Sequence, residues 1–230
     1  MKTLEPFKVV LIGYGKMGHI LEQLVPSDFT IVAKVDDERA LKQVKLEGCI
    51  AIDFSTPAAF KSHYQYLATN SLGTVVGTTG WQDEHEAILT YFKQKGANLI
   101  YANNFSVGVY IFSRLVAEAS ALTKKLSPSN PYILEMHHQT KLDRPSGTAL
   151  QLQQIIKQHY SSLDLASVRA GKLNGTHCVG FVSGEESITL QHEAFNREGF
   201  AKGAWLAARA LAERKVRGVI SFNEWLDATL

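Results

Sequence analysis

Residues 8–18 have the sequence KVVLIGYGKMG, in which a short apolar run is followed by three closely spaced glycines. The run has the length of a buried strand, and the apolar residues after the glycines recur at the spacing of a helix face. In such a strand–turn–helix unit Gly13 permits the tight turn, Gly15 lets the backbone approach a pyrophosphate, and Gly18 allows close packing of helix on strand. The stretch predicts the start of a Rossmann-type dinucleotide-binding domain. A glycine-rich turn that binds no ligand is the alternative.

The first hundred residues alternate apolar runs with helix-like segments. Further strand-like runs lie at about 29–35, 50–54, 74–76 and 98–101, and helical segments lie at about 57–69 and 82–95. The runs are apolar on both faces, as in strands of a parallel sheet that helices cover on both sides. We therefore predict an α/β fold with a doubly wound parallel sheet for this part of the chain.

The pattern changes after Asn104. A long helix at about 107–125 is followed by a strand at 132–138, a helix at about 148–160 and alternating strands near 178–181 and 188–192. Alternation with a period of two predicts half-buried strands of a mixed, open-faced sheet, and hence a second, α+β domain. A final helix near 204–211 and the tail are expected to return to the first domain. We expect a dinucleotide-binding domain at 1–104 and 203–230, and a substrate-binding domain at 105–202.

Composition and charge exclude several classes of protein. The 230 residues carry a net charge of +2, with 45% hydrophobic and 20% charged residues, as is ordinary for a globular protein. The densest basic run, 209–217, includes Glu213 and is more typical of a solvated helix end than of a phosphate patch, so no nucleic-acid partner is expected. Cys49 and Cys178 lie far apart in strand-like contexts, which indicates free thiols in a reducing compartment. Without an apolar run of 18 residues or a leader cleavage site, we expect a soluble cytoplasmic protein with no membrane contact.

Three segments follow predicted strands where a coenzyme would bind. Asp36 ends the second strand, 18 residues after Gly18, where a carboxylate accepts hydrogen bonds from the adenosine ribose. Arg39 could instead meet a 2′-phosphate, so the choice between NADH and NADPH stays open. The segments 53–57 (DFSTP) and 77–80 (GTTG) follow later strands, and ligands of doubly wound sheets bind beyond the carboxyl ends of strands. Both are candidates to line a coenzyme cleft, and ordinary strand-end turns are the alternative.

The densest group of reactive side chains lies in residues 135–149, EMHHQTKLDRPSGTA. Ser146, Gly147 and Thr148 begin a predicted helix whose N-terminus could hold a carboxylate through backbone N–H groups and a hydroxyl. Lys141 adds a cation for the same anion, and a neighbouring histidine can carry a proton near neutral pH.

The two histidines of this group, His137 and His138, lie on opposite faces of an extended strand, with Ile133 and Glu135 on the face of His137. Both imidazoles reach one site only if the strand ends or bends there. Either histidine alone could be structural. A metal site is disfavoured, because the segment has no HxxxH spacing and no third convergent ligand is evident. Taken with the lysine and the helix start, the pair indicates a catalytic site.

These motifs resemble those of the 4-hydroxy-tetrahydrodipicolinate reductase family, also called dihydrodipicolinate reductases. The resemblance covers nearly the whole chain in order, in the segments GYGKMG (13–18), DFSTP (53–57), GTTG (77–80), ANNFSVGV (102–109), EMHHQTKLDRPSGTAL (135–150), RAGKLNGTHCVGF (169–181) and HEAFNREGFAKGAWLAARAL (192–211). It implies hydride transfer from NADH or NADPH to a cyclic imine dicarboxylate with loss of water, a step of diaminopimelate and lysine biosynthesis. It also implies a homotetramer joined through the sheets of the second domain.

The resemblance places the functional positions of the family on this chain. It implies that His137 is the general acid and that Lys141 is the second key residue, in contact with substrate. Further substrate contacts implied by the family or by the helix start are His138, Ser146, Gly147 and Thr148. The coenzyme positions from the family and the strand-end loops are Gly13, Gly15, Lys16, Met17, Gly18, Asp36, Gly77, Thr78, Thr79, Asn104 and Phe105.

The chain departs from the family pattern in two places. Its glycine loop is one residue shorter than in many members, and Arg144 stands before Pro145, where it could assist carboxylate binding or point to solvent. Two other functions stay open: a sensor that binds NAD(P) without turnover, and a dehydrogenase for another small acid. A sensor needs no proton donor beside an anion site. A monocarboxylate or sugar would not need both the lysine and the helix start.

Overall fold

The computed structural model describes residues 5–230. Its strands are β1 (Phe7–Ile12), β2 (Phe29–Val35), β3 (Cys49–Asp53), β4 (Gly73–Val76), β5 (Leu99–Tyr101), β6 (Asn130–His137), β7 (Asp164–Arg169), β8 (Thr176–Val182), β9 (Ser187–Glu193) and β10 (Val219–Ser221). Its helices are α1 (Lys16–Gln23), α2 (Glu38–Gln43), α3 (Pro57–Asn70), α4 (His85–Gln94), α5 (Val107–Leu126), α6 (Gly147–Lys157), α7 (Glu198–Ala212) and α8 (Phe222–Thr229). The first four residues, on which the expectation of no cleaved leader partly depends, lie outside the described residues.

These elements divide into two compact units. The first extends to Phe105 and includes Phe200–Leu230, and the second is Ser106–Gly199. In the described part of the chain, the first unit has six parallel strands in the order β10-β5-β4-β3-β1-β2. The second has four strands in the order β7-β6-β8-β9, with one parallel and two antiparallel pairings. The predicted fold class, a Rossmann-type parallel sheet plus a second mixed sheet, is confirmed.

The central strands of the first unit are buried along their length. All residues of β3 and β4 are buried, as are the last four of β1, and their sequences are almost continuously apolar. Such strands need helices on both faces of the sheet to exclude water. Helix α3 shows how one of these covering helices starts. Pro57 occupies the first turn, where its missing N–H costs nothing, and the Thr56 hydroxyl accepts a hydrogen bond from the backbone N–H of Ala59 at 3.3 Å.

One face of the sheet in the second unit is covered by α5 and α6. The core on this face contains Phe112 and Val116 of α5, Ile133 and Val179 of the sheet, and Leu152 and Ile156 of α6. The pairing of Leu134 with Ala166 and of Met136 with Val168 places these apolar side chains on the other face, together with Tyr132. We call this second set, Tyr132, Leu134, Met136, Ala166 and Val168, the open face.

Four elements of residues 5–230 were not predicted from the sequence, namely α2, β7 and, near the C-terminus, the short β10 and α8. Helix α2 has only six residues, too few for a periodic pattern to stand out. Strand β7 carries Ser167 and Arg169 on the side that faces the core of the second unit, because they pair with Glu135 and His137 of β6. Leu165 is the one apolar residue on its inner face, so the strand lacks the regular alternation of apolar residues that indicates a strand. The end of α6 at Lys157 also lies before the expected end near residue 160.

Helix α7 is anchored in the first unit by polar contacts at its buried face. The indole N–H of Trp205 donates to the carbonyl of Leu21 at 3.1 Å. The Arg209 guanidinium donates to both carboxylate oxygens of Asp28, at 2.9 and 2.6 Å. Such a two-point arginine–carboxylate pair fixes orientation as well as distance. These contacts hold the C-terminal part of the chain against the sheet that the N-terminal part builds.

Two further expectations concern membranes and thiols. No helix within residues 5–230 combines the length and apolar character needed to cross a bilayer. Cys49 and Cys178 are free thiols, as the sequence predicted, and both are buried.

Helix α7 offers a test of close packing at glycine. A Cβ at Gly203 would lie 1.7 Å from the backbone oxygen of Phe105, whereas a Cβ at Gly199 would find its nearest neighbour, the Ser106 hydroxyl, at an ordinary 3.5 Å. Gly203→Ala should therefore lower the free energy of unfolding by about 1–3 kcal/mol through overpacking. Gly199→Ala should be neutral or stabilise by up to about 1 kcal/mol through helix propensity. Urea denaturation of both variants checks this, and equal stabilities would contradict it.

Candidate functional site

The glycine loop between β1 and α1 combines two crowded positions with one open position. Gly13 has a φ of +82°, and a Cβ there would lie 2.5 Å from the backbone oxygen of Phe54. A Cβ at Gly18 would lie 2.7 Å from the backbone oxygen of Gly13. Gly15, the N-cap of α1, has nothing within 4 Å of such a Cβ and provides no side-chain cap. The first N–H groups of α1 are thus left for an external acceptor.

Of the four residues that follow β2, two make local structural contacts and two are in a position to contact a ligand. Asp36 is exposed and accepts a hydrogen bond from the backbone N–H of Tyr14, which ties the end of β2 to the glycine loop. Asp37 caps α2 by accepting from the backbone N–H of Ala40 at 2.7 Å, and Glu38 pairs with a lysine one turn later. Arg39 is exposed on the first turn of α2. Of the four, Asp36 and Arg39 remain candidates for coenzyme contact.

The loops after β3 and β4 are held together by one buried carboxylate. Oδ1 of Asp53 accepts from the N–H and the hydroxyl of Ser55, at 2.9 and 2.7 Å, and from the Thr78 hydroxyl at 2.6 Å. Oδ2 lies 2.6 Å from Nε2 of His63 in α3. Asp53 is 0% exposed and His63 2%. A carboxylate without water needs this degree of pairing, so the network fixes both loops relative to α3.

The two threonines of the GTTG loop lie in different environments. Thr78 is buried and bound to Asp53, whereas Thr79 is exposed at the carboxyl end of β4. Gly77 is required by packing, because a Cβ there would lie 2.1 Å from the ring of Phe54. Phe105 is buried against Phe54 and a second phenylalanine in α8, so only its backbone is available to a ligand. Lys16, Met17 and Asn104 are exposed or half-buried.

In the second unit, β6 ends at His137, so the two histidines are not held on one regular strand. His137 is buried on the core side, and its Nδ1 is hydrogen-bonded to Oε2 of Glu135. Oε1 of Glu135 lies 2.8 Å from Nη2 of Arg169 on β7. Burial raises the pKa of Glu135, but the neighbouring polar groups of Arg169, Ser167 and His137 together hold it below its usual value. Burial lowers the pKa of His137, and Glu135 opposes that shift.

A third histidine connects His137 with the start of α6. The rings of His137 and His177 are perpendicular neighbours with centroids 5.1 Å apart, and Nε2 of His177 lies 3.1 Å from the hydroxyl of Ser146. Burial and the nearby His137 lower the pKa of His177 to about 4, so it is neutral at pH 7. Nδ1 of His177 is buried without a hydrogen-bond partner among the described residues.

These groups correct one expectation about metals. Ligand atoms of Glu135, His137 and His177 lie within 4.8 Å of one another, so a third convergent group does exist, contrary to the sequence analysis. His177 comes from β8, far along the chain, which is why spacing did not reveal it. The carboxylate of Glu135 is already paired with His137 and with Arg169.

The start of α6 and the segment before it bring together groups that suit an anion, and we call Lys141, Ser146, Gly147 and Thr148 the anion-binding corner. Ser146 is the N-cap and accepts from the backbone N–H of Ala149 at 3.2 Å, and a Cβ on Gly147 would meet nothing within 4 Å. Nζ of Lys141 lies 2.7 Å from the carboxylate of Asp143. Burial raises the pKa of Asp143, but Lys141 and the backbone N–H of Gly147 together hold it below its usual value. Both the lysine and the start of the helix therefore already favour the ionised form of the Asp143 carboxylate.

The remaining residues of this segment lie in or around that corner. His138 is half-buried, and its Nδ1 lies 2.9 Å from the Thr140 hydroxyl. Thr148 is half-buried in the first turn of α6. Arg144, for which the sequence left two roles, donates to the backbone oxygen of Ser167 and thereby ties the segment to β7.

Five residues around these groups had no role assigned from the sequence, namely Asp53, His63, Glu135, Arg169 and His177, although Asp53 and Glu135 lie within motifs that the sequence singles out. Two of them could have been found from the sequence. Glu135 is a charged residue on the core face of β6 beside His137, and Asp53 is the aspartate at the start of the DFSTP loop. For the other three, only the tertiary fold brings the partners together.

The chain matches two family models in tandem. One is described as Dihydrodipicolinate reductase, N-terminus, and covers residues 7–105. The other is described as Dihydrodipicolinate reductase, C-terminus, and covers residues 108–226.

Full-length relatives agree with this match. A 4-hydroxy-tetrahydrodipicolinate reductase of Christiangramia forsetii is 34% identical, over 95% of this chain and 97% of the relative. One of Thermosipho africanus is 32% identical, over 93% and 95%. The solved dihydrodipicolinate reductase of Paenisporosarcina sp. TG-14, with dipicolinate bound, has the same fold, with a TM-score of 0.78 at 21% identity over 94% of this chain and 97% of that chain. The chain therefore belongs to the dihydrodipicolinate reductase family, oxidoreductases of the reduction step in diaminopimelate and lysine biosynthesis.

Proposed function

We propose that this chain reduces 4-hydroxy-tetrahydrodipicolinate to tetrahydrodipicolinate, with loss of water, by means of a nicotinamide coenzyme. The observation that carries this proposal is the link between a buried histidine and an anion-binding helix start. His137 neighbours His177, which in turn contacts Ser146 at the first turn of α6. A dicarboxylate that must be both held and protonated requires these two functions within one small region.

The first unit supplies the coenzyme contacts of the proposal. The uncapped start of α1, with the glycine loop and the neighbouring Lys16 and Met17, suits the pyrophosphate. Asp36 suits the adenosine ribose, Arg39 a 2′-phosphate, and Thr79 the nicotinamide amide. Gly77, Thr78, Asn104 and Phe105 contribute through backbone or by holding the loops, as the buried side chains of Thr78 and Phe105 indicate. When bound, the reduced nicotinamide ring supplies the hydride.

The second unit supplies the substrate contacts. Lys141 and the N–H groups from Gly147 and Thr148, with the Ser146 hydroxyl, hold one carboxylate of the substrate. Asp143 supports this assignment, because its own carboxylate already responds to Lys141 and to the N–H of Gly147. The half-buried imidazole of His138 is available for a second contact. His137 gives a proton to the electron-rich enamine that hydride addition leaves.

An assay of coenzyme oxidation tests the activity as a whole. Freshly generated 4-hydroxy-tetrahydrodipicolinate is mixed with NADH or NADPH, and kcat/KM is measured for each coenzyme by loss of absorbance at the nicotinamide band. Turnover that depends on this substrate supports the proposal. Coenzyme binding without turnover would contradict it and would favour a sensor. The ratio of the two kcat/KM values decides between Asp36 and Arg39 as the dominant contact to the adenosine ribose.

We further propose a cytoplasmic homotetramer. The free, buried thiols of Cys49 and Cys178 support a reducing compartment. The open face supports association through the sheet of the second unit, because helices α5 and α6 cover only its other face. An apolar sheet face of this kind is typical of interfaces between subunits.

Replacing the proposed proton donor should slow the chemical step. His137→Gln should lower kcat by roughly 10²- to 10⁴-fold, with little change in KM for the substrate, because the amide cannot act as an acid. The matched control is His159→Gln, since His159 is exposed near the end of α6. Steady-state kinetics on both variants check this. Wild-type kcat in His137→Gln would remove His137 from the mechanism.

Removing the proposed cation should weaken substrate binding. Lys141→Met should raise the substrate KM by about 10-fold or more, since a hydrogen bond to a charged group contributes about 1.5–3 kcal/mol. The KM for coenzyme should change little. Lys157→Met, at the exposed C-terminal end of α6, is the control. An unchanged substrate KM, measured at saturating coenzyme, would argue against the carboxylate contact.

A charge on the open face should disrupt the tetramer. Ala166 is exposed on edge strand β7, so Ala166→Glu should leave the fold of one subunit intact and reduce the mass in solution. Val25→Glu, at an exposed apolar residue of the first unit, is the control. Sedimentation velocity at micromolar protein measures the mass. A wild-type monomer, or a tetramer that tolerates Ala166→Glu, would contradict this interface.

A further inference from the structure

Glu135 is a buried carboxylate that the reaction, as proposed above, does not use. It is 0% exposed and lies on the core face of β6, two residues before His137. Its Oε2 is hydrogen-bonded to Nδ1 of His137, and its Oε1 lies 2.8 Å from the guanidinium of Arg169. Buried charges are retained in proteins when they are paired, and both oxygens of this carboxylate are paired.

The geometry determines which nitrogen of His137 carries a proton in the neutral ring. An ionised carboxylate only accepts hydrogen bonds, so Nδ1 must be the donor, and the neutral imidazole has its lone pair on Nε2. Nε2 is then the nitrogen that gains and gives the exchangeable proton. Gly175 lies beside it. A Cβ there would be 3.0 Å from Nε2 and 3.2 Å from Cδ2, so the absence of a side chain leaves room for the ring edge.

Arg169 holds the carboxylate in place from the next strand. Besides Glu135, its guanidinium donates to the backbone oxygen of Val168 at 2.8 Å and to that of Asp143 at 2.6 Å. The second of these bonds reaches the segment that carries Lys141. The arginine thus connects the partner of the proton donor with the segment that carries the proposed substrate cation.

The charged groups around His137 act in opposite directions. Lys141 and Arg169 disfavour its protonated form, as does burial, while Glu135 on its own strand favours that form. His177, on the other neighbouring strand, has a pKa of about 4 and carries no charge near neutral pH. Within the described residues, Glu135 is therefore the group that opposes these effects and favours the imidazolium.

We propose that Glu135 is a positioning residue for His137, which fixes the imidazole with Nδ1 as a donor to the carboxylate and reserves Nε2 for proton transfer to the substrate. This inference rests on the proposed function, in which His137 is the acid. Glu135 itself touches no reacting atom. Its role resembles that of an aspartate that orients a catalytic histidine by its far nitrogen.

Glu135→Gln tests the role because it keeps the volume and removes the charge. We expect kcat to fall by about 10- to 100-fold, the range for loss of an outer-shell partner, while the substrate KM stays within twofold. Without the carboxylate the protonated imidazole is less favoured. The alkaline limb of the kcat profile should therefore move to lower pH. Glu118→Gln, which removes one exposed carboxylate from α5 of the same unit, is the control and should match wild type.

A double-mutant cycle separates this inference from the proposed function. In a His137→Gln background, adding Glu135→Gln should lower kcat no further, because there is no imidazole left to orient. Full activity of His137→Gln alone would overturn the proposed function. If His137→Gln is impaired, but Glu135→Gln has wild-type kcat and an unmoved pH limb, the role of Glu135 is overturned and the proposed function stands.

A measurement on the unmodified chain covers the case in which Glu135→Gln does not fold, since Arg169 would then lose its partner. Nitrogen NMR of the ¹⁵N-histidine-labelled protein, with His137 assigned by comparison with His137→Gln, reports the tautomer directly. A proton on Nδ1 in the neutral ring supports the inference. A proton on Nε2 in the neutral ring overturns it.

Discussion

Among the residues that the structure describes, each unit buries one carboxylate completely, and a buried carboxylate requires partners for both of its oxygens. In the first unit Asp53 meets this requirement with Ser55, Thr78 and His63, which brings two strand-end loops and α3 into one arrangement. In the second unit Glu135 meets it with His137 and Arg169, which does the same for β6 and β7. Because an unpaired charge would cost several kcal/mol, the loops and side chains around each carboxylate have few alternative positions.

Two glycines of the first unit restrict the same loops in a different way, through the lack of space for a side chain. Gly13 and Gly77 allow Phe54 to lie where a side chain at either position would exclude it. The loops that follow β1, β3 and β4 therefore contact one another directly, and backbone hydrogen bonds from Phe54 to Ile12 and from Gly77 to Asp53 connect them at 2.9 Å. The shape of this region is set by close packing, and the open position of Gly15 is an exception within it.

The sequence was sufficient for the fold class because the apolar periodicity of strands and helices is a local property. It also located the glycine loop, the histidine pair and the helix start of Ser146, which are contiguous motifs. It was insufficient for β7, whose inner face carries Ser167 and Arg169 beside Glu135 and His137 and only one apolar residue, Leu165. His177 looked unremarkable for a similar reason, because its neighbours His137 and Ser146 come from other parts of the chain.

The ion pair of Lys141 with Asp143 affects which anions the anion-binding corner can bind. The lysine is already paired with a carboxylate that belongs to the chain, and the backbone N–H of Gly147 at the helix start also favours the ionised form of that carboxylate. On the proposed function, an arriving carboxylate exchanges with a resident one, and the net charge of the corner stays the same. Attraction to any passing anion is thereby reduced. Selectivity then depends on what else the arriving molecule contacts, so a simple monoanion gains little where a ring with two carboxylates can displace Asp143.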